Sequence, residues 1–136
     1  RSGIGKVNAG ICAQILADVF SVDAIINTGI AGSLNKILIL VILFFPQMLY
    51  SMIWMLPDLD TQGTDSANAC IFLNADDNLR RLAAEVCKEV NPDIQVFEGR
   101  IASGDQFVCD QDVKNRIVSE FSAYATEMEG AAIGQA

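Results

Sequence analysis

Apolar positions recur at helical spacing over residues 7–20, where Val7, Ile11, Ile15, Leu16, Val19 and Phe20 are separated by small Ala and Gly residues. That spacing predicts a helix starting just after the turn at Gly3–Gly5. Asp23-Ala24-Ile25-Ile26-Asn27-Thr28-Gly29 is a short apolar run closed by a Gly-rich turn, which predicts a buried parallel strand. Leu79, Leu82, Ala83, Val86 and Val90 share one face of a predicted amphipathic helix over 76–90, with an acidic first turn. Asn91-Pro92 ends it, because the residue before a proline avoids the helical region. Strands are predicted at Ile94–Phe97 and Arg100–Ser103, and a helix at Asp110–Glu120. A further strand at Ala125–Met128 runs into a last helix from Glu129. The alternation implies an α/β architecture with a largely parallel sheet.

One segment breaks this rhythm. Ile37–Leu56 carries no charged residue, and its length is that of a membrane span. Pro46, Gln47 and Ser51 interrupt it, and α/β patterning flanks it on both sides, so a span here would split one sheet. A membrane is therefore not the expected partner, although a small membrane-associated protein anchored by residues 37–56 is the rival reading.

Composition narrows the function classes. The 136 residues suffice for a single domain with a core and not for two comfortable ones. The net charge is −8, and the nine basic residues are scattered, which argues against nucleic acid and against an anionic membrane surface. Four cysteines (Cys12, Cys70, Cys87, Cys109) have no paired spacing and there is no histidine, so no metal and no cofactor is expected. Reduced, mostly buried cysteines in a cytoplasmic protein are the plainer expectation. No signal peptide is expected at the start, where Arg1-Ser2-Gly3 opens within a motif.

Four short motifs carry candidate chemistry. Ser2-Gly3-Ile4-Gly5-Lys6 is a Gly-rich strand-to-helix turn; Ile4 in it could equally be ordinary core. Asn27-Thr28-Gly29-Ile30-Ala31-Gly32 is a second such turn at the carboxyl end of a predicted strand, where open α/β sheets place ligands. Ser103-Gly104-Asp105-Gln106-Phe107-Val108 offers an aromatic ring that composition alone would assign to the core, with Asp105 suited to fixing the loop. In Glu127-Met128-Glu129 the carboxylates stand two residues apart. If the segment is extended they point to opposite sides, and only one faces a site. Taken alone, the triplet also suits a helix N-terminus, which favours negative charge.

In this order the four motifs resemble the methylthioadenosine/S-adenosylhomocysteine nucleosidases of the nucleoside phosphorylase superfamily, over residues 2–35 and about 73–136. The resemblance implies a three-layer α/β fold with a central, largely parallel mixed sheet flanked by helices. It implies hydrolysis of the bond joining adenine to a thio-ribose, with adenine nucleosides as small-molecule partners and a homodimeric assembly whose partner loop closes the alkylthio pocket. By resemblance Ile4 lines that pocket. Ile30, Ala31 and Gly32 form the turn where apolar residues favour water over phosphate as nucleophile. Phe107 stacks on adenine, and the Val108 backbone reads the purine edge. Met128 packs beneath the sugar and Glu129 accepts the ribose hydroxyls. The family's water-activating Glu would precede Arg1 and its Asp general acid would follow Ala136, so none of the residues present is expected to transfer the protons. This polypeptide is then expected to be inactive or nearly so, each such group being worth about 10²–10⁴-fold. Another purine nucleoside phosphorylase or hydrolase of the superfamily is the runner-up, and a non-catalytic remnant that binds adenine nucleosides is a further alternative.

The same resemblance offers an account of the apolar segment. Codons permitted for Ile39–Thr61, read from the third base, can encode IGDIVFSTDALQHDMDATGFGY, close to what the family carries after its second Gly-rich turn. The expectation is a shifted reading frame across about residues 38–72, against a genuine divergent insertion or membrane hairpin. Resequencing the coding DNA across residues 36–75 is expected to restore a GDIV…HDMDAT…FGY stretch. DNA encoding Ile37–Leu56 as written would instead favour the membrane or binding-remnant readings.

Overall fold

The structure, a computed structural model, describes residues 1–34, 43–51 and 71–136. Four helices are formed there, α1 Lys6–Phe20, α2 Asp77–Val90, α3 Gln111–Phe121 and α4 Gly130–Gln135, together with strands β1 Gly32–Ser33, β2 Leu43–Ser51, β3 Ile71–Asn74, β4 Val96–Ser103 and β5 Ala125–Glu127. The strands join in one sheet in the order β1-β5-β4-β2-β3. The inner pairs β5–β4 and β4–β2 are parallel, and β1 and β3 add antiparallel edges. This is the α/β class that the alternation of elements predicts, with the mixed sheet flanked by helices that the resemblance implies.

Local chemistry explains most boundaries. Asp76 and Asp110 each cap the helix that follows, taking two backbone N–H groups that would otherwise lack partners. Asp110 Oδ1 accepts from Asp112 N at 2.9 Å and from Val113 N at 3.0 Å. Asp110→Ala is expected to destabilise the fold by about 1 kcal/mol, read as a lower urea midpoint at unchanged slope. The predicted strands at 94–97 and 100–103 are one strand, β4, because Glu98 and Gly99 continue the ladder against Phe45 and Pro46.

Three expectations need correction. Residues 24–31 form no strand and are exposed. An apolar run becomes a buried strand only where neighbours pair with it, and among the described residues the ladder to β5 begins only at Gly32. Within α1, the buried residues are Ala9 and Ala13, whereas Val7, Ile11, Ile15, Val19 and Phe20 face outward. Close approach to α4 selects the small side: a Cβ on Gly10 would lie 3.8 Å from the Ala132 Cβ and carbonyl oxygen. The cysteines are not mostly buried either: Cys87 is buried, Cys12 intermediate and Cys109 exposed, all free, and Cys70 lies outside the described residues.

The apolar segment supplies a strand of the sheet. β2 is nine residues of it, paired in parallel with β4. Pro46, which cannot donate to a ladder, sits at a register shift between Pro46 and Met48, ahead of the stretch Met48–Ser51 that β3 covers. No helix among the described residues is long and apolar enough to cross a membrane. Residues 35–42 and 52–70, which hold most of the stretch expected to be out of frame, lie outside the described residues.

The core around the site is small. Ala102 of β4, Ile117 of α3 and Ala123 form a buried cluster, with Leu34, Val108, Val113 and Phe121 packed against it. Because Val108 belongs to this cluster, the loop leaving β4 is anchored from below.

Candidate functional site

β4 and β5 end side by side, with Ser103 in register with Glu127. Beyond their carboxyl ends three of the four motifs meet, at the position where parallel sheets place ligands. The loop after β4 turns back on β5 through Gly104 N–H, which donates to the Glu127 carbonyl at 2.9 Å. The same loop is tied to the first turn of α1 by Lys6 and Asp105, 3.4 Å apart. Lys6 is mostly covered and Asp105 mostly exposed, so this pair positions more than it stabilises.

The first motif reaches the site through its backbone. Gly3 and Gly5 have φ of +97° and +91°, which side chains on an L-residue rarely allow, so the tight entry into α1 requires glycine at both. This conformation directs Gly5 N–H at Glu129, whose Oε1 accepts it at 2.5 Å across 124 positions of sequence. Glu129 Oε2 also accepts from Met128 N–H at 3.3 Å. A half-buried carboxylate is thus held where the Gly3–Gly5 turn meets the end of β5.

Glu127 points elsewhere. Its Oε2 accepts the N–H of Glu129 at 2.9 Å and of Gly130 at 2.6 Å, closing the start of α4. The helix-terminus reading of the triplet therefore describes Glu127, and Glu129 is the carboxylate left to face the Gly3–Gly5 turn. Ser103, fully buried, accepts the next amide, Ala131 N–H, at 3.1 Å through its hydroxyl. This contact was not legible in the sequence; the β4–β5 register creates it.

The remaining predicted residues are placed as follows. Ile4 is 79% exposed and Phe107 83%, so neither is the core residue that composition would have made it. Phe107 stands out from a loop whose next residue, Val108, is anchored in the core cluster. Met128 is half-buried beside Glu129. Gly32 pairs with Thr126 on the far side of β5, which brings the second motif to the neighbouring strand. Ile30 and Ala31 precede it, exposed, with Ile30 at 95%. No set of three metal-ligating side chains converges among the described residues.

Comparison with known proteins bears on this arrangement. A family model described as the phosphorylase superfamily matches residues 1–136, a wider span than the motifs alone cover. An aminodeoxyfutalosine nucleosidase of Campylobacter jejuni is 38% identical over 138 residues, covering 97% of this chain and 57% of that protein. A 5'-methylthioadenosine/S-adenosylhomocysteine nucleosidase of Treponema pallidum is 33% identical over 156 residues, covering 96% and 56% respectively. Among solved structures, the Helicobacter pylori 5'-methylthioadenosine/S-adenosylhomocysteine nucleosidase with butyl-thio-DADMe-Immucillin-A superposes with a TM-score of 0.84 at 35% identity, over 98% of this chain and 57% of that one. The chain spans somewhat over half the length of the curated relatives it matches.

Proposed function

This chain belongs to the phosphorylase superfamily, and on that footing we propose that it supplies the substrate cradle of a nucleosidase hydrolysing the N-glycosidic bond of 5'-methylthioadenosine and S-adenosylhomocysteine. The observation that carries the reading is the Glu129 carboxylate, fixed on the Gly5 amide at the ends of β4 and β5 beside the Phe107 loop. In this reading the exposed ring of Phe107 stacks on adenine, and the backbone of Val108, held still by the core, pairs with the purine edge. Glu129 accepts the ribose hydroxyls, with Met128 beneath the sugar. Cleavage of the glycosidic bond develops positive charge on the ribose, and a fixed carboxylate stabilises it in place.

Ile4 and Ile30 stand exposed, and in the proposed pose they flank this cradle, with Ile4 toward the 5' substituent. A second subunit closing over the alkylthio group, in a cytoplasmic homodimer, fits that exposure. Ile30 and Ala31 provide no cation to hold inorganic phosphate, which favours water as the nucleophile.

The similarity to an aminodeoxyfutalosine nucleosidase supports a second substrate for the same site. The test is calorimetric titration of the chain with 5'-methylthioadenosine, S-adenosylhomocysteine, aminodeoxyfutalosine and free adenine. Tighter binding of a 5'-thio nucleoside than of adenine, with any adenine release indifferent to inorganic phosphate, is the expected result. Preference for aminodeoxyfutalosine would move the assignment to that substrate, and turnover that requires phosphate would make the protein a phosphorylase. Phe107→Ala is expected to weaken adenine binding roughly 10-fold or more, since base–aromatic stacking is worth about 1–3 kcal/mol. Its thermal midpoint should hardly move, because the ring is solvent-exposed.

A further inference from the structure

We infer that Glu127 is a positioning residue, which sets the orientation of the Glu129 carboxylate by capping α4 in its stead. The inference rests on the proposed role of Glu129 in holding ribose. Glu129 stands at the N-cap of α4 yet makes no side-chain capping bond. The first amides of a helix need acceptors, and a carboxylate at the cap is normally drawn to them. Here they are already taken: Glu127 Oε2 accepts Glu129 N–H and Gly130 N–H, and Ser103 Oγ accepts Ala131 N–H. With its own helix satisfied, Glu129 turns outward and binds Gly5 N–H instead.

The placement of Glu127 is tightly specified. It closes β5 in register with Ser103 at the end of β4, so two adjacent parallel strands deliver the two side chains to three consecutive amides. The other oxygen of Glu127, Oε1, is buried and accepts no hydrogen bond among the described residues. Burying half a carboxylate without partners is unfavourable, and a serine or asparagine cap would avoid it. The amides that Glu127 holds are those two and three residues on, the reach that Asp110 shows at α3. Removing the Glu127 acceptor frees two amides beside the Glu129 carboxylate, which then swings back to cap α4 and leaves Gly5.

The experiment uses the whole chain, with the Gly5 amide resonance in a nitrogen-15 correlation spectrum as a ligand-free reporter. An amide donating to a carboxylate lies downfield. Glu127→Ala and Glu129→Ala are both expected to return the Gly5 resonance to the range of an unbonded amide. Glu127→Gln keeps an acceptor for the two amides and is expected to leave it near its original position. In parallel, the ratio of 5'-methylthioadenosine affinity to adenine affinity should fall about tenfold in Glu127→Ala, the loss of an aligned charge-assisted contact, and be largely kept in Glu127→Gln. Glu127→Leu, which fills similar space without an acceptor, carries the test if the alanine variant does not fold. A Gly5 resonance unmoved by loss of the Glu127 acceptor overturns the inference. So does an amide that moves equally in Glu127→Gln, since an accepting side chain would then not be what holds Glu129. If the unsubstituted chain shows no preference for the nucleoside over adenine, the functional reading fails, and the Gly5 resonance still decides whether Glu127 orients Glu129.

Discussion

Glu129→Ala is expected to lower the affinity for 5'-methylthioadenosine by roughly 100-fold while leaving that for free adenine nearly unchanged. Hydrogen bonds to a charged group are each worth about 1.5–3 kcal/mol, and two ribose hydroxyls on one carboxylate sum to a loss of about 3 kcal/mol once water replaces part of the contact. The split between nucleoside and base is the informative part. A general loosening of the fold would weaken both ligands, whereas loss of a ribose acceptor weakens only the one that carries ribose. The substitution also removes the acceptor for Gly5 N–H, so a stability loss of about 1 kcal/mol should accompany it. Titration calorimetry with both ligands, alongside a urea unfolding curve, separates the two effects. Equal weakening of nucleoside and adenine would remove Glu129 from the ribose site.

Ile117→Ala is the substitution expected to cost the fold most. Ile117 is 2% exposed and packs between Ala102 and Ala123, both small, so neighbours have little side chain with which to fill a void. Truncating a buried isoleucine costs roughly 2–5 kcal/mol through lost transfer energy and an unfilled cavity. For a domain of this size that lowers the thermal midpoint by roughly 10 °C. The same cluster seats Val108, so the loop presenting Phe107 should loosen with it, and adenine affinity should fall even though Ile117 touches no ligand in the proposed pose. Ile117→Val, which keeps the branched Cβ, is expected to cost only about 0.5–1.5 kcal/mol. Thermal unfolding followed by circular dichroism checks both, and an alanine variant as stable as the valine variant would show that the cluster collapses without penalty.

Local chemistry determined much of this protein from its sequence alone. The helix over 77–90 is written in the Asp76 cap and the Asn91-Pro92 stop, both within one segment, although Leu82, Val86 and Val90 of its predicted apolar face stand exposed and Ala84 and Cys87 are buried. The helix at 111–121 is likewise announced by Asp110. The alternation of elements is enough for an α/β class, and the four motifs in order are enough for the superfamily that the family match then established.

What depended on distance along the chain was not legible. Which face of α1 is buried follows from how closely α4 approaches, so the larger apolar residues that mark the helix lie outside and Ala9 and Ala13 lie inside. Whether Asp23–Gly29 becomes a strand depended on pairing partners, and the described ladder reaches only Gly32 and Ser33. The division of labour between Glu127 and Glu129 could not be read from their spacing. It required the register that sets Ser103 beside Glu127 and the turn that carries Gly5 to Glu129. Sequence periodicity records what a residue needs from its immediate neighbours, whereas a carboxylate's role is set by the donors that reach it, and here the tertiary fold brings Gly5 from 124 positions away.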